Sequence, residues 1–308
     1  MRLAFLGTTS FAVRVLSALA ASDDHHPVLV LTPPDRPRGR GRRVGPPPVA
    51  AAAIELGLEL HQTESVNLEE SRRAIAVAAP DIGLVCAFGQ LIREPLLSEL
   101  ELLNVHPSLL PRWRGAAPIE RTIMAGDERT GVSIAVVTAG LDSGPIVLGE
   151  EVEVELGDDY GSLSERLSSR AGPLAIRALD LRAAGALEPE DQDDAAATYA
   201  PRIDPGERRL DPARDAGELE RAVRALHPHI GAYLELASGE RLRVGGARAI
   251  DDGVAAGELA AAGGRLVLGC ATGALELISV QPPGGRPMAS ADYLRGHPAP
   301  RLAAQSSA

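Results

Sequence analysis

No lysine occurs in this chain of 308 residues, so every basic side chain is an arginine. That is a bias of composition first and a sign of phosphate chemistry second. Cysteine is nearly absent too. Cys86 and Cys270 stand far apart, each inside an apolar run, which excludes a disulfide framework and suits reduced core thiols better than a metal cluster. No stretch approaches the roughly 20 uninterrupted apolar residues of a membrane-spanning helix. The opening Met1-Arg2-Leu3-Ala4-Phe5-Leu6-Gly7 runs into a strand pattern rather than a signal peptide, so the expected compartment is the cytoplasm. A positive surplus is missing as well: net charge is −11 at pH 7, and the average field repels polyanions. Indiscriminate nucleic-acid binding is thereby excluded, and any polyanion must be met by local patches. Residues 201–308 hold 13 Arg against 13 Asp plus Glu, whereas residues 1–200 hold 18 Arg against 29 acids.

The length exceeds what one hydrophobic core usually serves, and a hydrophobic content of 45% is enough for two. Strand-like runs at 2–7, 27–32, 81–86 and 102–106 alternate with helical spacing at 11–21 and 49–56. This pattern predicts an α/β fold, a Rossmann-like doubly wound parallel sheet with helices on both faces. Two β-rich runs follow at 132–137 and 146–156. A helix is expected next, with Leu163, Leu167, Ala171, Leu174, Ala178 and Leu181 on one face and a kink at Pro173. Residues 183–200 are rich in Ala, Asp and Glu without a period, as in a linker. The expected division is a first domain over 1–185, a linker over 186–200 and a second domain over 201–308. In the last, a short helix at 218–225 and strand-like runs at 232–236, 241–244, 265–268 and 275–280 suit a small β-barrel.

The densest chemical signal is Asn104-Val105-His106-Pro107-Ser108-Leu109-Leu110-Pro111-Arg112-Trp113-Arg114-Gly115-Ala116-Ala117-Pro118, at the end of an apolar strand. Ligands of open parallel sheets bind beyond the carboxyl ends of strands, and Asn104 and His106, two residues apart, face the same way into that crevice. Gly140-Leu141-Asp142-Ser143-Gly144 follows a later strand. Together these motifs resemble the folate-dependent formyltransferase family, whose sites combine an Asn-x-His-x-Ser-Leu-Leu-Pro stretch with the Asp of a Gly-Leu-Asp-x-Gly turn. The resemblance implies 10-formyltetrahydrofolate as co-substrate and formyl donor, no metal, and Asn104, His106 and Asp142 as catalytic residues. It also implies a folate site lined by Ser108, Leu109, Leu110 and Pro111. The chemistry fits that trio: attack of an amine on a formyl carbon builds an oxyanion and an ammonium. Asn104 offers a neutral donor to the first, His106 donates or carries the proton onward, and Asp142 is expected to orient His106. By contrast, Gly7-Thr8-Thr9-Ser10 lacks the glycine spacing that admits a pyrophosphate, which disfavours a nicotinamide enzyme.

Members of that family formylate glycinamide ribonucleotide, amino sugars of nucleotides or methionyl-tRNA, so other features choose the acceptor. The loop over 33–48 places Arg36, Arg38, Arg40, Arg42 and Arg43 among Pro and Gly. It resembles the insertion loop of members acting on methionyl-tRNA, in which planar donor forks meet phosphates. Thr198-Tyr199-Ala200-Pro201-Arg202-Ile203 and Ser290-Ala291-Asp292-Tyr293-Leu294-Arg295-Gly296-His297 resemble the C-terminal domain of the same members, an OB-type barrel. The resemblance thus implies transfer of formyl to the amino group of methionyl-initiator tRNA for translation initiation, with tRNA held by loop and barrel; a monomer is the default expectation. Two other readings stand beside it. A nucleotide-sugar N-formyltransferase shares the trio but has less need of the Arg loop, and a non-catalytic RNA-binding relative would have no need of an intact trio. The chain departs from the family at Leu226-His227-Pro228-His229-Ile230-Gly231-Ala232, usually more aromatic, and at Thr138-Ala139, where an acidic residue is common.

Overall fold

A computed structural model describes residues 1–38, 43–251 and 253–303. The chain forms two compact units: one of Met1–Pro118, Arg129–Glu153 and Ser164–Pro201, the other of Ile119–Glu128, Val154–Leu163 and the chain from Arg202 on. Among the described residues, no helix is long and apolar enough to cross a membrane.

The first unit is built from β1 (Arg2–Gly7), α1 (Ser10–Ala20), β2 (His26–Thr32), β3 (Arg36–Arg38), β4 (Arg43–Gly45), α2 (Pro48–Glu55), β5 (Leu60–Gln62), α3 (Glu69–Ala78), β6 (Ile82–Cys86), α4 (Leu96–Glu99), β7 (Leu102–His106) and β8 (Arg114–Gly115). After α5 (Pro118–Ala125) come β9 (Arg129–Val136), β10 (Ile146–Glu153), α6 (Tyr160–Ala183) and β11 (Tyr199–Ala200). The seven-stranded sheet runs β10-β9-β7-β6-β1-β2-β5. Its five strands from β7 to β5 are parallel, while β9 and β10 close one edge antiparallel. β6 is buried along its whole length and β1 from Leu3 on, as strands covered on both faces must be. On one face Ala4, Leu6, Leu29 and Leu31 pack with Ile75 and Ala78 of α3. Alternation sends Leu3 and Phe5 to the other face. α6 keeps its apolar stripe of Leu167, Ala171, Leu174, Ala175 and Ala178 buried, and Pro173 sits on its exposed side, where its missing N–H harms packing least. The helix approaches α1 so closely that a Cβ on Gly172 would lie 2.7 Å from that of Ala18.

Leaving β1, the chain turns to β2 and β5 on one side, then returns through β6 and β7 on the other. A topological switch point therefore lies between β1 and β6, and the carboxyl ends of β1, β6 and β7 share one edge. The Arg-rich loop begins and ends as a hairpin, with Arg36 opposite Gly45 and Pro37 opposite Val44. Arg36 is exposed and bonds Glu64 at 2.8 Å. Arg38 and Arg43 are placed by their backbone pairing alone, and Arg40 and Arg42 lie outside the described residues.

In the second unit, α7 (Ala216–Leu226) starts at Asp215, whose side chain accepts from the N–H groups of Gly217 and Glu218. The strands are β12 (Ala232–Glu235), β13 (Arg241–Ile250), β14 (Leu259–Ala262), β15 (Arg265–Gly269), β16 (Ala274–Gln281) and β17 (Met288–Ala289), and α8 (Ser290–Gly296) follows. They form one antiparallel sheet in the order β12-β13-β16-β15-β14, with β17 beside β16. Leu219, Val223 and Leu226 of α7 share a core with Leu242, Leu268, Leu275 and Leu277. Among the described residues no ladder joins β14 to β12, so the pairing defines an antiparallel sheet and leaves the expected OB-type closure unconfirmed. Two early segments belong to this unit through side-chain pairs. His227 Nδ1 meets Asp159 Oδ2 at 2.8 Å, His229 Nε2 meets Glu120 Oε1 at 2.9 Å, and the Tyr160 ring stacks on His229 at 3.5 Å.

Candidate active site

β7 delivers Asn104 and His106 to the carboxyl edge of the sheet, opposite Ala135 and Ser133 of β9. The turn after β9 brings Asp142 to them. Asn104 Nδ2 donates to Asp142 Oδ1 at 3.0 Å, and the Gly115 N–H donates to Asp142 Oδ2 at 2.8 Å. His106 is 5% exposed in its side chain and Asp142 16%, with Nδ1 and Oδ2 separated by 3.7 Å. The three residues expected to be catalytic are therefore neighbours.

The imidazole is oriented differently from the expectation. His106 Nε2 lies 2.9 Å from the Trp113 carbonyl oxygen, which only accepts, so Nε2 carries the hydrogen. A neutral His106 then presents its Nδ1 lone pair to the Asp142 carboxylate across a gap too long for a hydrogen bond. A backbone carbonyl holds the ring, and Asp142 is held in turn by Asn104 and Gly115. Two acceptors face one another, an arrangement suited to receive the N–H of an amine between them.

Ser108, Leu109, Leu110 and Pro111 follow directly, and the structure turns them unequally. Ser108 and Leu110 are buried, while Leu109 and Pro111 are half-buried. Ser108 Oγ donates to the Arg112 carbonyl at 2.6 Å. Ser133, which no motif marks, accepts from the Leu110 N–H at 3.0 Å and donates to the Ser108 carbonyl at 2.8 Å. The Ser108 hydroxyl and the Leu110 N–H are thus engaged within the loop. Leu109 and Pro111 are left as the partly open apolar surface.

Residues 186–200, expected to be a linker from their composition, lie along the first unit as a strap. Ile146 and Glu190 exchange both backbone hydrogen bonds at 2.8 Å, and β11 pairs in parallel with β8. The Trp113 N–H donates to Thr198 Oγ1 at 2.9 Å. Arg114, 3% exposed, donates from Nε to Gln192 Oε1 at 3.0 Å and from Nη2 to Asp194 Oδ1 at 2.8 Å. Gln192 Nε2 reaches the carbonyls of Asp142 at 2.9 Å and Gly144 at 2.6 Å. The only trace of this network in the sequence is Arg114, a charge inside the dense motif that needs partners once buried. Gly115 has a backbone reason for being glycine: its φ is +119° and a Cβ would lie 2.8 Å from the Ala200 carbonyl oxygen.

Neither cysteine supplies a nucleophile. Burial pushes the Cys86 thiol far up, and burial with the nearby Asp215 carboxylate pushes Cys270 up to about 11. Among the described residues, no group of three or more His, Cys, Asp or Glu is arranged to hold a metal ion.

A family model described as formyl transferase matches residues 1–179, and one described as formyl transferase, C-terminal domain, matches residues 202–298. The chain belongs to the formyl transferase family. A methionyl-tRNA formyltransferase of Halorhodospira halophila is 44% identical over 303 residues, covering 96% of each chain. One of Ectopseudomonas mendocina is 43% identical over 296 residues, covering 95% of this chain and 93% of that one. Among solved structures, HypX from Aquifex aeolicus in complex with tetrahydrofolic acid superposes with a TM-score of 0.66 at 17% identity, over 96% of this chain. The present chain spans 47% of that protein, a likeness of fold alone.

Proposed function

We propose that this chain transfers the formyl group of 10-formyltetrahydrofolate to the amino group of methionine esterified to initiator tRNA. The observation that carries the chemistry is the convergence of Asn104, His106 and Asp142 at the carboxyl edge of β7. Full-length similarity to methionyl-tRNA formyltransferases selects the acceptor.

One hydrogen of the Asn104 amide is spent on Asp142, and the second serves the oxygen of the attacked carbonyl as it gains charge. The amine proton passes to the His106 Nδ1 lone pair as the amine nitrogen bonds the formyl carbon, and the Asp142 carboxylate across the 3.7 Å gap stabilises the imidazolium that results. Collapse of the tetrahedral adduct breaks the bond from the formyl carbon to folate N10, and the imidazolium returns its proton to that nitrogen. The folate supplies the formyl group, against the half-buried Leu109 and Pro111, with Ser108 and Leu110 shaping that wall from behind. In this reading 1–185 is the catalytic domain, 186–200 joins it to 201–308, and the latter binds tRNA together with Arg36, Arg38, Arg40, Arg42 and Arg43. The protein works as a cytoplasmic monomer.

The test pairs substrate and loop. With formyl donor and charged initiator tRNA the purified protein yields formylmethionyl-tRNA; formylation of an amino-sugar nucleotide in its place would overturn the acceptor. Replacing all five loop arginines by alanine raises KM for the tRNA by about tenfold or more and flattens its salt dependence, while kcat at saturating tRNA stays within about threefold. An unchanged KM would remove the loop from tRNA binding.

A further inference from the structure

We propose that Gln192, anchored by Arg114, is a positioning residue of the active site, fixing the turn that carries Asp142 so that its carboxylate faces Asn104 and His106. This inference rests on the assignment of formyl transfer to that trio.

Asp142 has φ +46°, in the left-handed region that a residue other than glycine adopts only when its surroundings determine it. Gln192 provides that determination. Its Nε2 donates to the carbonyls of Asp142 and Gly144, on either side of Ser143, so both amide hydrogens are used on one turn. The orientation of the amide follows from its partners: carbonyls only accept and the Arg114 Nε–H only donates, so Oε1 must face Arg114. Arg114 is buried and fixed at its other end by Asp194. The next residue, Gly115, donates its N–H to the Asp142 carboxylate itself. One short stretch and one glutamine thus hold both the backbone and the side chain of Asp142, and Gln192 approaches from about fifty residues along the chain.

Gln192 touches none of the three trio side chains in these bonds, and its effect must pass through the placement of Asp142. A double-mutant cycle reads this directly. Wild type, Gln192→Ala, Asp142→Asn and the double variant are assayed for kcat and both KM values with 10-formyltetrahydrofolate and charged initiator tRNA, and melted in parallel. Gln192→Ala is expected to lower kcat by about tenfold or more, with each KM within about threefold. In the Asp142→Asn background the same change is expected to alter kcat by less than about twofold. Gln192→Glu, of equal shape, sets an acceptor against two carbonyls and is expected to lose kcat as Gln192→Ala does. Equal losses from Gln192→Ala in both backgrounds, or wild-type kcat in Gln192→Ala and Gln192→Glu beside a crippled Asp142→Asn, overturn the inference alone. Full turnover in Asp142→Asn overturns the reading of the trio, and the inference with it.

Discussion

Replacing His106 by alanine will lower kcat for formyl transfer by about 10²-fold to 10⁴-fold, the range a positioned proton acceptor supplies. KM for donor and acceptor will change little, because the imidazole meets the reacting amine and not the bulk of either substrate. The geometry makes the loss specific. The Trp113 carbonyl fixes a hydrogen on Nε2, so in the neutral ring the Nδ1 lone pair is turned toward the gap beside Asp142. Without the ring the amine proton has only the Asp142 carboxylate, which Asn104 and Gly115 already engage. Steady-state rates with both substrates saturating check the prediction, and a variant that keeps wild-type kcat would take His106 out of the chemistry.

The second large effect comes from a glycine whose backbone needs no left-handed conformation. A Cβ on Gly144 would sit 1.9 Å from the Val136 carbonyl oxygen and 2.9 Å from its carbon. Those are backbone atoms at the end of β9, and the Val136 N–H is itself bonded to the Pro145 carbonyl at 2.9 Å, so neither side yields cheaply. Gly144→Ala will displace the turn and destabilise the first unit by about 1–3 kcal/mol, the usual cost of overpacking. Displacement carries Asp142 away from its partners, so kcat is expected to fall by about 10²-fold as well. Thermal melts read the first effect and turnover the second. A melt and a rate both equal to wild type would contradict the packing described.

Much of the catalytic half was legible in the sequence, for a simple reason. Strands covered on both faces, such as β6 and β1 from Leu3 on, read as continuous apolar runs, and in β7 the polar Asn104 and His106 follow from the two-residue alternation of a strand. The apolar stripe of α6 survived Pro173 because that proline lies on the exposed side. Other features leave no periodic mark. The direction of β9 and β10 depends on chain connections, and the strap over 186–200 is fastened by backbone bonds at Glu190 and β11 and by single side chains, Gln192, Asp194 and Thr198, within an otherwise bland stretch. The partner that orients His106 is a backbone carbonyl, which no residue type reveals, and so the carboxylate of Asp142 was expected in its place. Pairs such as His229 with Glu120 join segments far apart in the chain, and no local pattern announces them.

The direct measurement is a crystal structure of this protein with a stable formyl-folate analogue bound. The formyl oxygen is expected within about 3 Å of Asn104 Nδ2, with His106 Nδ1 and Asp142 Oδ2 bordering the side from which an amine approaches the formyl carbon. A formyl group seated away from β7, with Asn104, His106 and Asp142 bonded only to one another, would contradict it.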